Sequence, residues 1–325
     1  MTNCLRRIRK ITPGSLFWAS IRARFQRLGA VFLLGLFSGS SIVILRLGVT
    51  EIPPLALVMV RQTIATVAFA ASMIVLRRRL PRASQVWRDI AVVATLTTIL
   101  PIICFTMALE FVSSAVASMI LALVPLLTGL MAHVLLHEQL SRLQATGLVV
   151  AFIGIVLLIL TGTSGIATSG GSIVLRGYLL LLVSALALAG AGIYTRKQLQ
   201  NIDVLVMTAV QTTLSLLVAL PLALIFSPFD PTTVTMRGWL AVAWSGLLDS
   251  FAGFFLFFTM IQRFGPTLAT LPIYVTPVIS TILGALLLQE LINAPLLTGS
   301  ALILTGVYLA SQQMQRGAGQ NRSRG

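Results

Sequence analysis

Asp249 is the carboxylate that fits its surroundings least well, because it stands about ten residues into an apolar run that begins at Trp239. A charged aspartate at mid-membrane depth costs roughly 2.5–3.5 kcal/mol on insertion scales. A carboxyl kept there either faces a wet cavity, contacting a substrate amine or a coupling proton, or is a neutral acid bonded to a neighbouring helix. Arg61 is a cation about two turns into the second apolar run. Its planar guanidinium is a two-pronged donor for a substrate carboxylate, or for a structural partner inside a helix bundle. Arg46 closes the first run, where it either snorkels to headgroups or pairs with Glu51. Small polar residues that could line a cavity are Ser41, Gln62, Gln211, Ser250 and Tyr274.

His133 and His137 lie four apart on one helical face beside Glu138, a spacing that could hold zinc in an intramembrane enzyme. The pattern is not His-Glu-x-x-His, and no third ligand or serine partner is evident, so neither metal nor catalytic residues are expected. No Gly-x-x-x-x-Gly-Lys-Ser/Thr loop occurs, which argues against ATP hydrolysis by this chain, and no cofactor is called for. Cys4 and Cys104 fall in a basic tail and an apolar run, so no structural disulfide is expected.

The elements that must position these groups follow from composition. The 325 residues are 57% hydrophobic and 10% charged, with a mean hydropathy of +0.98, too much apolar surface for a water-soluble domain. About 20 helical residues cross the hydrocarbon core. The predicted spans are Leu28–Leu45, Leu55–Leu76, Ile90–Leu109, Ala115–Leu136, Leu143–Leu160, Gly177–Tyr194, Leu205–Phe226, Trp239–Phe258, Thr267–Leu288 and Leu296–Ser311. Continuous apolar runs such as Leu179–Val183 exclude the alternation of an outer-membrane barrel. The net charge of +15 would suit nucleic acid, but its distribution does not: nineteen of the 23 Lys and Arg residues fall in segments on one side of a ten-span topology. The positive-inside rule makes that side cytoplasmic and puts both termini there.

The two halves repeat. A constant offset of 152 residues separates Ala117 from Ala269, Pro125 from Pro277, Glu138 from Glu290, Gly147 from Gly299 and Gly154 from Gly306. Five spans is an odd number, so the second copy enters the bilayer from the opposite side, and such inverted repeats enclose a mid-depth site open to either face by rocking. The expected organisation is a basic cytoplasmic tail over residues 1–27, a first repeat over 28–161, a flexible periplasmic linker over 162–176, a second repeat over 177–313 and a second tail over 314–325. Pro125 and Pro277 are expected to kink their helices. Glu138 and Glu290 are expected to cap the helices that follow them. The pairs Gly35 with Gly39 and Ala185 with Ala189 read as helix-contact faces. The phenylalanines Phe251, Phe254, Phe255, Phe257 and Phe258 cover most of the eighth helix, which suits lipid and packing contacts.

Each half resembles the EamA module of the drug/metabolite transporter superfamily. The resemblance rests on Phe37–Arg46, Pro53–Arg61, Ala108–Ile120 and Leu135–Glu138 in the first half, and on Gly265–Leu271, Val275–Ser280 and Leu286–Glu290 in the second. The glutamate past the fourth and ninth spans, followed about nine residues later by glycine, is its most recognisable mark. Asp249 departs from the small or apolar residues usual in the eighth span. The resemblance implies an all-α polytopic protein of ten transmembrane helices in two inverted five-helix repeats. It also implies a permease of the cytoplasmic (inner) membrane that moves a small metabolite, such as an amino acid or related compound, outward. Its partners would be a small-molecule substrate, the lipid bilayer and a candidate coupling proton, with no nucleic acid. An intramembrane enzyme using His133 and His137, and a membrane sensor or scaffold, are the competing readings.

Overall fold

The computed structural model describes residues 13–81, 84–137, 140–166, 171–198, 202–256 and 272–322. Glu138, Phe257, Phe258, Ala269 and the Gly265–Leu271 motif lie outside the described residues. Among the described residues every regular element is helical. Ten apolar helices run in sequence: α1 Pro13–Val49, α2 Pro54–Val75, α3 Ser84–Ala108, α4 Ser114–Leu136, α5 Arg142–Leu160, α6 Gly171–Gln198, α7 Val204–Phe226, α8 Met236–Leu256, α9 Pro272–Leu288 and α10 Ala294–Arg322. Eight carry a stretch long and apolar enough to cross a membrane, and the described parts of α9 and α10 are shorter apolar helices. Large apolar side chains cover the outside, with Leu160 80% exposed, while the largely apolar interior also buries polar groups such as Gln62, 0% exposed. A surface of bare leucine and isoleucine is stable only where lipid replaces water.

Packing follows the repeat. Helix α1 lies against α8 and α9, while α6 lies against α3 and α4; α2 packs on α7, and α5 on α10. Shifting each helix by five positions converts this set of neighbours into itself, as two copies related by an in-plane axis require. The tightest evidence is at α5 and α10. A Cβ built on Gly147 would stand 2.5 Å from the Gly306 carbonyl, and one on Gly154 would stand 2.8 Å from the Gly299 carbonyl. In sequence Gly147 corresponds to Gly299 and Gly154 to Gly306, so each glycine meets the repeat-mate of the other. Reciprocal contact of this kind is the signature of a two-fold interface. Small residues here let the two backbones touch. On α1, Gly35 and Gly39 serve the same purpose against Val275 and Ile279 of α9.

Several boundaries depart from the sequence expectation. Helix α1 extends back to Pro13, so the second half of the basic tail is helical and continuous with the first span. The stretch after α5 is not a flexible linker in its described part. Thr163 and Ser164 are buried, the Ser164 carbonyl accepts from the Ser113 N–H at 2.8 Å, Gly165 from Leu291 at 3.0 Å, and Thr163 from the Tyr178 hydroxyl at 2.7 Å. Its backbone groups are paired inside the bundle end, and α6 starts at Gly171, which moves the beginning of the second repeat earlier.

The two repeated prolines act differently. Pro125 divides α4 into Ser114–Leu121 and Val124–Leu136, whereas Pro277 sits inside an unbroken α9. Both helices end alike, on His137 and Gln289 in the left-handed region at φ 55° and 53°.

Two helices are locally widened. Thr95–Ile99 of α3 and Ser245–Gly253 of α8 are π-helical, and they overlap at the repeat offset. In α3 the Leu100 N–H reaches back to the Thr95 carbonyl, and Pro101, which has no N–H to give, follows directly. Such widening is frequent at functional sites.

Candidate functional site

Arg61 stands seven residues from Pro54, about 10 Å down α2. From there its Nη2 donates to Asp249 Oδ2 at 2.6 Å and its Nε donates to Ser250 Oγ at 3.0 Å. Both acceptors lie in the π-helical part of α8, where more residues per turn reduce the angle between successive side chains and so help one guanidinium to engage both. The backbone of α8 comes close enough because residue 246 is glycine: a Cβ there would meet Ile64 Cβ at 2.8 Å and the Arg61 carbonyl at 3.2 Å. Phe69, about two turns further along α2, meets Phe251, the residue after Ser250, edge to face, with centroids 4.9 Å apart. The cation is almost fully buried, with 6% of its side chain exposed, while Asp249 keeps 31%. This is a cross-repeat contact, since α2 belongs to the first half and α8 to the second.

A second cross-repeat contact joins α7 to α3. The Thr97 hydroxyl donates to Gln211 Oε1 at 3.2 Å, and the Thr98 hydroxyl lies 3.5 Å from the Gln211 carbonyl. Ser215 donates to the Thr98 carbonyl at 3.4 Å. Among the described residues several buried polar atoms lack a hydrogen-bond partner: both amide atoms of Gln62, Nε2 of Gln211, the hydroxyls of Ser41, Thr66 and Thr106, and the Trp244 indole nitrogen. Each such group costs about 1–3 kcal/mol when left unmade. They lie on α1, α2, α3, α7 and α8, and buried groups of this kind call for a partner such as ordered water or a bound polar molecule.

The other candidates are placed elsewhere. The Tyr274 hydroxyl is 3.4 Å from the Val307 carbonyl of α10, which sets it between α9 and α10. Arg46 does not pair with Glu51. It lies in the field of Glu290 and Glu110, while Glu51 accepts from the Thr235 N–H at 3.1 Å and from its hydroxyl at 2.7 Å. His133 and His137 are both exposed near the end of α4.

Glu290 corrects the capping expectation. It caps a helix of the opposite half, accepting from the Ser114 N–H at 2.8 Å and from the Ser114 hydroxyl at 2.7 Å at the start of α4. The following helix, α10, is capped by Asn293, and α5 by a reciprocal box between Ser141 and Gln144. Glu290→Ala is therefore expected to lower stability by about 1–2 kcal/mol, as for a lost N-cap. Glu290→Gln, which keeps an acceptor, should cost less. Thermal unfolding in detergent checks this, and equal losses for the two variants would refute the cap.

One buried carboxylate escaped the sequence reading. Asp89 is 6% exposed on α3, accepts from the Tyr194 hydroxyl at 3.0 Å and has Arg88 Nε at 3.7 Å. The apolar run begins at Ile90, yet α3 begins at Ser84, so Asp89 is already a turn inside the helix. The polar start Ser84–Gln85 hid it.

Inverted five-helix repeats joined by buried polar contacts define an integral membrane transporter. Residues 28–160 and 175–312 each match the EamA-like transporter family, and the chain belongs to that family. It is 23% identical over 282 residues to the uncharacterized transporter YoaV of Bacillus subtilis, covering 85% of this chain and 95% of that one. It is 26% identical over 266 residues to the uncharacterized inner membrane transporter YedA of Escherichia coli, covering 80% and 84%. Protein PecM of Dickeya dadantii is 24% identical over 245 residues, covering 74% and 78%. A solved crystal structure superposes with a TM-score of 0.60 at 20% identity, covering 86% of this chain and 98% of the other, which supports the fold.

Proposed function

We propose that this transporter is a secondary permease that moves a small polar metabolite across the cytoplasmic membrane by alternating access, with both termini cytoplasmic and efflux as the working direction. The observation that carries the reading is the buried contact of Arg61 with Asp249 and Ser250 at the interface of the two halves. An ion pair inside the hydrocarbon layer is costly to build, and it is retained where charge or polar cargo must be handled. The Gln62 amide, Nε2 of Gln211 and the Ser41 hydroxyl, without a hydrogen-bond partner among the described residues, add donors and acceptors for a hydrogen-bonding substrate. Asp249 is the group on which a coupling proton would act. The charge distribution along the chain supports the orientation.

The test is counterflow of a labelled panel of amino acids, nucleosides and sugars in proteoliposomes at two pH values. Gln62→Leu is the informative variant. It removes two unsatisfied buried atoms, so the protein should be as stable as the parent or more so. Counterflow should nevertheless fall at least tenfold. Full transport by Gln62→Leu would remove it from the substrate path. Ligand binding without counterflow would favour the sensor reading over the permease.

A further inference from the structure

The two cross-repeat contacts are the same contact made twice with different chemistry. Ser84 and Met236, which begin α3 and α8, are repeat-mates, and thirteen residues on from each stand Thr97 and Asp249, followed by Thr98 and Ser250. Pro54 and Val204 begin α2 and α7, and seven residues on from each stand Arg61 and Gln211. Arg61 with Asp249 and Ser250 therefore occupies the place that Gln211 with Thr97 and Thr98 occupies on the other side of the pseudo-two-fold axis. Both pairs, the acceptors Asp249 and Ser250 and the donors Thr97 and Thr98, sit in the π-helical turns. Helices α2 and α7 enter from opposite faces, so each contact lies about 10 Å below a different face.

We propose that these are the two gates of one path, an ionic gate formed by Arg61, Asp249 and Ser250 and a neutral gate formed by Gln211, Thr97 and Thr98, and that their inequality sets the resting state. The inference rests on the transporter reading above. In an inverted repeat, the state open to one face is converted into the state open to the other by exchanging the halves. With identical gates the two states would be equally populated. Here one gate is a charge-assisted pair and the other an amide–hydroxyl contact, and charge-assisted hydrogen bonds are roughly twice as strong as neutral ones. The neutral gate opens at lower cost, so the resting protein opens on the Gln211 side. With the termini cytoplasmic, that is the cytoplasmic face, where an exporter must load.

Spin-label pairs test this without any substrate. One pair, at Thr50 and Thr233, reports the ionic face, and the other, at Gln85 and Leu205, reports the neutral face; pulsed dipolar spectroscopy reads both in proteoliposomes. Arg61→Gln should lengthen the Thr50–Thr233 distances and shorten the Gln85–Leu205 distances, because the ionic face opens as the other closes. Gln211→Leu should shift both pairs the other way. Exchanging the chemistries, by combining Arg61→Gln and Asp249→Thr with Gln211→Arg and Thr97→Asp, should invert which face is populated open. Should the fourfold variant fail to assemble, the two single variants still decide the matter. Shifts in the same direction by both variants, or by neither, in protein that elutes as the parent does would overturn the proposal. Distances that respond as expected in a protein giving no counterflow would leave the gates standing and sink the permease reading; unresponsive distances with counterflow intact would do the opposite.

Discussion

Asp249→Ala is expected to cost about 3–5 kcal/mol of stability, the range for removing one member of a buried pair, whereas Arg61→Met should cost clearly less. The difference comes from what each variant leaves behind. Without Asp249, the Arg61 guanidinium stays in a site where only 6% of the side chain is exposed, with Ser250 as its remaining partner among the bonds described above. An arginine does not shed its proton to escape such a site. Without Arg61, the Asp249 carboxylate is left far less enclosed, with 31% of its side chain exposed. The double variant Arg61→Met with Asp249→Leu should recover most of the stability lost by Asp249→Ala, because apolar replacement of both members of a buried pair is often neutral or better. It should not recover transport. Reversible unfolding in mixed micelles gives the free energies, and the coupling follows from the double-mutant cycle closed by Arg61→Met, Asp249→Leu and their combination. Strictly additive losses would show that the two side chains do not depend on one another.

The second large effect is expected at the α5–α10 crossing. A methyl group at Gly147 meets the Gly306 carbonyl at 2.5 Å, and one at Gly306 meets the Ala151 N at 2.7 Å and the Gly147 carbonyl closer still. These neighbours are backbone, so relief requires the helices to separate. Gly306→Val should lose about 3 kcal/mol or more, at the upper end of overpacking penalties, and Gly147→Val should behave likewise. Gly299→Ala should be milder. Its methyl meets first the Leu158 side chain at 2.6 Å, which has rotamers to change, and stands 3.2 Å from the Gly154 carbonyl. Because the four glycines form reciprocal pairs about the axis, combining Gly147→Ala with Gly306→Ala should be less than additive, since the first substitution already parts the backbones. Thermal unfolding of the purified protein ranks the variants. A Gly299 variant as damaged as the Gly306 variant would contradict this packing.

What the chain by itself determined was its solvent, its element lengths and its duplication. Hydropathy sums over about 20 residues, so the predicted Leu55–Leu76 and Leu205–Phe226 agree closely with α2 and α7, at Pro54–Val75 and Val204–Phe226. Proline, glycine and glutamate at one offset revealed the repeat because they are rare in an apolar background. Composition likewise singled out Arg61 and Asp249, each as an isolated oddity. Their pairing was beyond it, because 188 residues separate them and contact depends on the rotation and depth of two helices, which an apolar helix surface specifies only weakly. The same holds for Glu290, whose carboxylate reached across to Ser114 and not forward to its own next helix. The π-helical turns left no mark of their own either, since Thr95–Ile99 reads as ordinary apolar helix and the oddity within Ser245–Gly253, Asp249, signals charge and not a widened backbone. Tertiary structure decided which oddities meet, because only the close approach of backbones at glycine, and the need to satisfy polar groups away from water, selects one register among many that lipid would accept equally.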